Sequence, residues 1–180
     1  MALQRAASEA KRVKAKYGEH NPIRLCAAMG IHLMYAAMGN GEKSCKGFFL
    51  YQSRCKTIVV NDQMDENYQR VILTHELGHA VLHSPAAGVA AYHDFGLFVE
   101  ASTLEHEANV FAAEYLLDDK LVLDELADAE VSFFDAASAL AVPPELLTFK
   151  LRLLKKAGYP VDLPMNARAD FLKKASCGAR

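Results

Sequence analysis

From Val71 to Leu82 the chain is almost wholly apolar, yet His75, Glu76 and His79 lie inside that run. Its aliphatic residues drive such a stretch into a core, and polar groups carried in with them must be paired, because burial of an unpaired ionisable group is costly. A helix advances about 100° per residue, so His75 and His79 stand one turn apart on one face with Glu76 beside them. Two neutral imidazoles in that arrangement can grip a single cation, and the intervening carboxylate is placed to take a proton from an attacking water. The chemistry implied is metal-assisted hydrolysis of an amide. Gly78, within the same helix, costs about 1 kcal/mol relative to alanine and is expected where another element approaches closely.

A chain of 180 residues with 52% hydrophobic content is one globular unit with room for a sizeable core. Its net charge of −2 balances 20 basic against 22 acidic residues, so no global field favours nucleic acid or an anionic membrane. The first residues open an amphipathic helix, and no later stretch approaches the roughly 18 apolar residues of a membrane span. A soluble, cytoplasmic protein is expected. Cys26, Cys45, Cys55 and Cys177 form no Cys-x-x-Cys pair and read as free thiols.

The fold expected is α+β, a mostly helical metallopeptidase domain with a small antiparallel three-stranded sheet and a helix-turn-helix-like C-terminal bundle. A first helix over 3–16 ends at Gly18, and Asn21-Pro22 supplies a cap for a second. Strand candidates follow at 31–35, 45–51 and 54–60, the last two pairing around Gln52-Ser53, which sets Cys55 opposite Leu50 and Cys45 opposite Val60. The motif helix spans 65–83, a loop over 84–100 is a candidate lid, and a second long helix spans 102–117. Residues 1–128 make the metallopeptidase domain. Residues 129–180 make a helical extension packed on it, with a last helix at 167–175.

A hydrolytic zinc needs three protein ligands and an open position. His83 lies eight residues beyond His75, about 12 Å along the helix, too far to share the ion, and reads as a neighbour of the site. Glu105 has an explanation in the capping-box spacing Ser102-Thr103-Leu104-Glu105, whereas Glu107 has none. Helical geometry alone does not decide between them. The pairing of His75-Glu76-Leu77-Gly78-His79 with Glu105-His106-Glu107-Ala108-Asn109-Val110-Phe111-Ala112-Ala113 resembles the ImmA/IrrE metallopeptidases, whose second helix reads E-x-E-A-N-x-F-A-A. The resemblance covers roughly residues 5–155. It departs at Leu116-Leu117-Asp118-Asp119, where family members often carry Leu-Met-Pro.

That resemblance implies Zn2+ held by His75, His79 and Glu107, with Glu76 as general base and Asn109 beside the ligands. It also implies a zinc endopeptidase that cuts a helix-turn-helix transcriptional repressor in mobile-element or stress-response regulation. Tyr92, His93 and Tyr115 are candidate donors to the transition-state oxyanion. An extended substrate is expected to add to the sheet along Thr57–Asn61. The alternatives are a DNA-binding module using Lys150, Arg152, Lys155 and Lys156, an inactive zinc-bearing interaction protein, or a hydrolase of a non-peptide amide. Against the first, Leu146, Leu147, Phe149, Leu151, Leu153 and Leu154 crowd the same helix, so direct nucleic-acid binding is not expected. Intact Glu76 argues against the second.

Overall fold

The computed structural model describes residues 2–41, 44–83, 90–94, 102–127 and 131–161; side chains of residues 2, 3 and 90–94 are not described. The expected helix at 167–175 and Cys177 lie outside these residues. Along the chain run α1 (Ala2–Tyr17), α2 (Pro22–Ala28), β1 (His32–Ala36), β2 (Gly47–Gln52), β3 (Cys55–Asn61), α3 (Glu66–Leu82), β4 (Ala90–Asp94), α4 (Thr103–Leu116), α5 (Asp119–Leu126), α6 (Phe133–Ala139) and α7 (Pro144–Lys156). No described helix is long and apolar enough to cross a membrane.

Helix starts follow local capping chemistry. Asn21 accepts from the backbone N–H groups of Ile23 and Arg24, Asp65 from Tyr68, and Ser102 from Glu105. The class is α+β, and the sheet is mixed, in the order β1-β3-β2-β4. β2 and β3 form the expected hairpin, but its turn is Ser53-Arg54, with φ of 52° and 66°, rather than Gln52-Ser53. The register therefore pairs Cys55 with Gln52 and Gly47 with Val60. Cys26, Cys45 and Cys55 are free thiols, as expected. β1 lies parallel to β3, and part of the expected loop at 84–100 is β4, antiparallel to β2. The remainder of that loop is outside the described residues.

This order places β3 inside the sheet, paired on both sides, so Thr57–Asn61 has no free edge for a substrate. Asn61 is fully buried and ties the approach to β2 in place. Its amide donates to the carbonyls of Gly39 (2.6 Å) and Cys45 (2.9 Å), and its oxygen accepts from the N–H groups of Met38 and Gln63.

α3 is the centre of the molecule. It packs on β2 and β3 on one side and on α4, α1 and α2 on the others, so every residue from Val71 to Ala80 is buried. Two cations close its C-terminal end, Arg5 donating to the Leu82 carbonyl at 3.2 Å and Lys56 to that of Ala80 at 3.4 Å. α3 and α4 approach at Gly78, where an added Cβ would stand 3.1 Å from Ala108 Cα and 3.2 Å from Phe111 Cβ. That close approach is what the glycine was expected to serve.

The C-terminal helices are joined by the tight turn before Pro143-Pro144, and α7 packs directly on α4. Lys150 is not a surface cation. Its ammonium is fully buried between Glu114 at 2.8 Å and Asp119 at 2.5 Å.

Candidate metal centre

α3 presents His75 and His79 on one face, and α4 presents Glu105 and Asn109, also four apart, toward them. Three atoms of types that can bind a metal converge there. His75 Nε2 and His79 Nε2 are 3.1 Å apart, and the Glu105 carboxylate lies 3.1 Å from the first and 3.4 Å from the second. Ligand atoms placed tetrahedrally about 2.0–2.1 Å from one zinc ion stand about 3.3 Å from each other, so the spacing suits that cation. His75, His79 and Glu105 form the metal-competent cluster found among the described residues.

The other faces of these side chains are equally defined. Asn109 Oδ1 lies 2.9 Å from His75 Nδ1 and accepts its proton, which leaves the His75 Nε2 lone pair facing the cluster. Burial lowers the His79 pKa, despite the opposing pull of Glu105, and this favours the neutral imidazole that a metal requires. Burial alone would raise Glu105, but the close approach of the His75 and His79 rings to its carboxylate outweighs it and holds the carboxyl well below its usual range. Glu76 is fully buried at the junction of α3 with the start of β2, its Cγ 3.6 Å from where a Cβ on Gly47 would stand.

The carboxylate that reaches the two imidazoles is thus Glu105, where the resemblance had pointed to Glu107. Residues two apart on a helix differ by about 200°, so the two glutamates cannot both face one ion from a single helix. Glu107, with 7% of its surface exposed, turns to His83, its Oε2 2.8 Å from His83 Nε2. His83 Nδ1 lies 3.0 Å from His79 Nδ1. The capping-box spacing masked this division of labour. The Glu105 backbone N–H does bond to Ser102, at 3.2 Å, while its carboxylate is committed to the histidines. The sequence signal for it was the i, i+4 pair Glu105–Asn109, matching the i, i+4 pair His75–His79 across the helix interface.

Tyr115 does not join the site. Its hydroxyl donates to the Glu19 carbonyl at 2.9 Å and its ring stacks on Phe111. Tyr92 and His93 lie in β4, paired with Phe49 and Phe48, and their side chains are outside the description.

A profile of the IrrE N-terminal-like domain, peptidase family M78, matches residues 26–152. The chain is 34% identical over 140 residues to the "Uncharacterized immunity region protein 2" of Bacillus phage phi105, spanning 78% of this chain and 85% of that protein. It is 23% identical over 110 residues to "Metallopeptidase ImmA" of Bacillus subtilis (strain 168), spanning 61% of this chain and 62% of that protein. The matched region carries both motif helices and all the residues of the cluster, and the chain belongs to the peptidase M78 family of IrrE N-terminal-like domains.

Proposed function

We propose that this chain is a zinc-dependent endopeptidase, in which His75, His79 and Glu105 hold the ion and Glu76 is the general base. The observation that carries this reading is the convergence of two imidazole nitrogens and one carboxylate within 4.8 Å beside a buried glutamate. A divalent ion in that cluster supplies Lewis acidity toward a carbonyl oxygen and toward water. The chain's own groups do the rest. Glu76, walled off from bulk solvent, accepts the proton of the attacking water and returns it to the leaving amine. Asn109 keeps His75 in the tautomer whose Nε2 can bind.

The outer edge of β4 is the sheet edge next to this site, since β4 pairs with β2 and Asp94 pairs with Gly47, beside Glu76. An extended peptide added there would offer successive amides to the cluster with little demand on sequence. The substrate proposed is a helix-turn-helix repressor. Its support is the motif resemblance and the similarity to a protein named for a phage immunity region.

The test combines metal content with cleavage. The untagged protein should carry one zinc per chain, Glu105→Ala should lose it, and Glu107→Ala should retain a full equivalent when zinc is saturating. Glu76→Gln should keep the metal and lose cleavage of a co-encoded repressor by about 10²–10⁴-fold. A wild-type chain that binds no zinc, or a zinc-loaded chain that leaves every co-encoded repressor intact under inducing conditions, rules the corresponding half of the proposal out.

A further inference from the structure

The geometry points to Glu107 and His83 as a positioning relay for His79, fixing through two hydrogen bonds the tautomer in which His79 binds the metal. This inference rests on the metal site proposed above and assigns two residues beyond its ligands and base.

The protonation pattern follows link by link. An ionised carboxylate only accepts hydrogen bonds, so at the 2.8 Å contact between Glu107 Oε2 and His83 Nε2 the proton is on His83 Nε2. With that proton on Nε2, Nδ1 is the acceptor atom of the imidazole ring. That atom lies 3.0 Å from His79 Nδ1, and two bare nitrogens would repel at this distance, so His79 Nδ1 carries the proton and donates. His79 Nε2 is left with its lone pair toward His75 Nε2, 3.1 Å away, and Glu105, and a cation held among the three groups would offset the repulsion that two such nitrogens otherwise meet at this distance. The direction of the relay is set by its only full charge, at Glu107.

Burial gives the relay its rigidity. The side chains of His83 and Glu107 are 5% and 9% exposed, so water competes poorly for either bond. His83 is the C-cap of α3, its N–H bonded to the His79 carbonyl, so its ring sits over the last turn beside His79. α4 thereby serves both imidazoles: Glu105 faces the ion, Asn109 orients His75 directly, and Glu107 orients His79 through His83. The spacing Glu105-x-Glu107-x-Asn109 has a physical reason at each of its polar positions.

The experiment measures zinc affinity by competition with a chromophoric chelator, and the visible spectrum of the cobalt-loaded protein, on the full chain. The variants are Glu107→Leu, Glu107→Gln, His83→Leu and the double Leu variant, with Glu105→Gln as the ligand control. Glu107→Leu and His83→Leu should each weaken zinc about 10–100-fold while keeping one equivalent at saturation. The double variant should be no worse than the weaker single one, because the two groups act in series. Glu107→Gln should stay near the wild type, since the amide oxygen still accepts from His83 Nε2–H. The cobalt bands should move in both Leu variants and hold in Glu107→Gln, a pattern that a general packing defect would not produce. Circular dichroism of the metal-free proteins establishes folding, and His83→Ala, a smaller truncation, takes over the test if a Leu variant does not fold. Affinities within twofold of the wild type with unchanged cobalt bands overturn the relay. So does loss of the zinc equivalent in Glu107→Gln to the extent seen in Glu105→Gln, which would make Glu107 a ligand. A wild-type chain without zinc would instead overturn the metal site itself.

Discussion

Replacing Gly78 by alanine sets helix propensity against packing at the seam that assembles the site. In an open helix the change would stabilise the protein by about 1 kcal/mol. Here the new methyl would stand 3.1 Å from Ala108 Cα, 3.2 Å from the Ala108 carbonyl oxygen and 3.2 Å from Phe111 Cβ. Carbon pairs prefer about 3.5–4.0 Å, and two of these neighbours are backbone atoms that no rotamer change can move. Overpacking of this kind costs about 1–3 kcal/mol, so the net change is a destabilisation of about 0–2 kcal/mol. The larger consequence is geometric. The strain is relieved by α4 moving off α3 by a few tenths of an ångström, and the same motion stretches the His75–Glu105 and His75–Asn109 contacts, now 3.1 and 2.9 Å. Urea unfolding of the metal-free protein and chelator competition for zinc would separate the two effects, with a modest drop in the first and a clear one in the second. A Gly78→Ala protein that is more stable by about 1 kcal/mol and binds zinc as tightly as the wild type would refute the reasoning.

Lys150→Met should destabilise the fold by about 3–5 kcal/mol in urea unfolding, because it leaves Glu114 and Asp119 without the buried ammonium between them; a loss under 1 kcal/mol would show that Lys11 or solvent replaces it. Asn61→Ala should cost about 2–4 kcal/mol, since it orphans two carbonyls and two N–H groups at the entry to β2. Burial pushes the Cys26 thiol from an ordinary 9.0 to about 12, so Cys55, which is exposed, should react with a thiol reagent at pH 8 while Cys26 stays protected in the folded protein. Because the folded thiol holds its proton more tightly than the unfolded one, its stabilisation is complete below pH 9 and declines as the pH rises toward 12, which denaturant midpoints taken across that range would register.

How far the sequence could be read depended on whether a residue's partner lay within its own helix turn. The motif helix, the caps at Asn21, Asp65 and Ser102 and the close approach at Gly78 follow from local chemistry and were legible. The pairing of β1 with β3 is a choice between distant strands, and nothing in the pattern of β1 states it. The hairpin register slipped because Ser53 and Arg54 adopt positive φ without the Asn or Gly that usually announces such a turn. Glu105 was hidden by having two roles at once, its backbone N–H serving the cap and its carboxylate the histidines. Lys150 looked like a surface charge because its partners are 36 and 31 residues away.

Those long-range partners also bear on what the last helices are for. α7 touches both motif helices with separate chemistry: the Tyr68 hydroxyl of α3 donates to Glu145 at 3.2 Å, His106 of α4 meets the Phe149 ring edge-on at 5.4 Å between centroids, and Lys150 bonds Glu114 of α4. Five of the six apolar side chains that crowd α7, Leu146, Leu147, Phe149, Leu151 and Leu154, are buried in the common core. A helix used in this way has little surface left for a DNA groove, and its most buried cation is already neutralised. The family match continues through residue 152, nearly to the end of α7, so the contacts between α7 and α4 lie within the shared unit. The helix-turn-helix shape of α6 and α7 is then best understood as packing. α6 packs on α5 and α7, and α7 packs on α4 and bonds α3 through Glu145, so the support these helices give the site is delivered through α7.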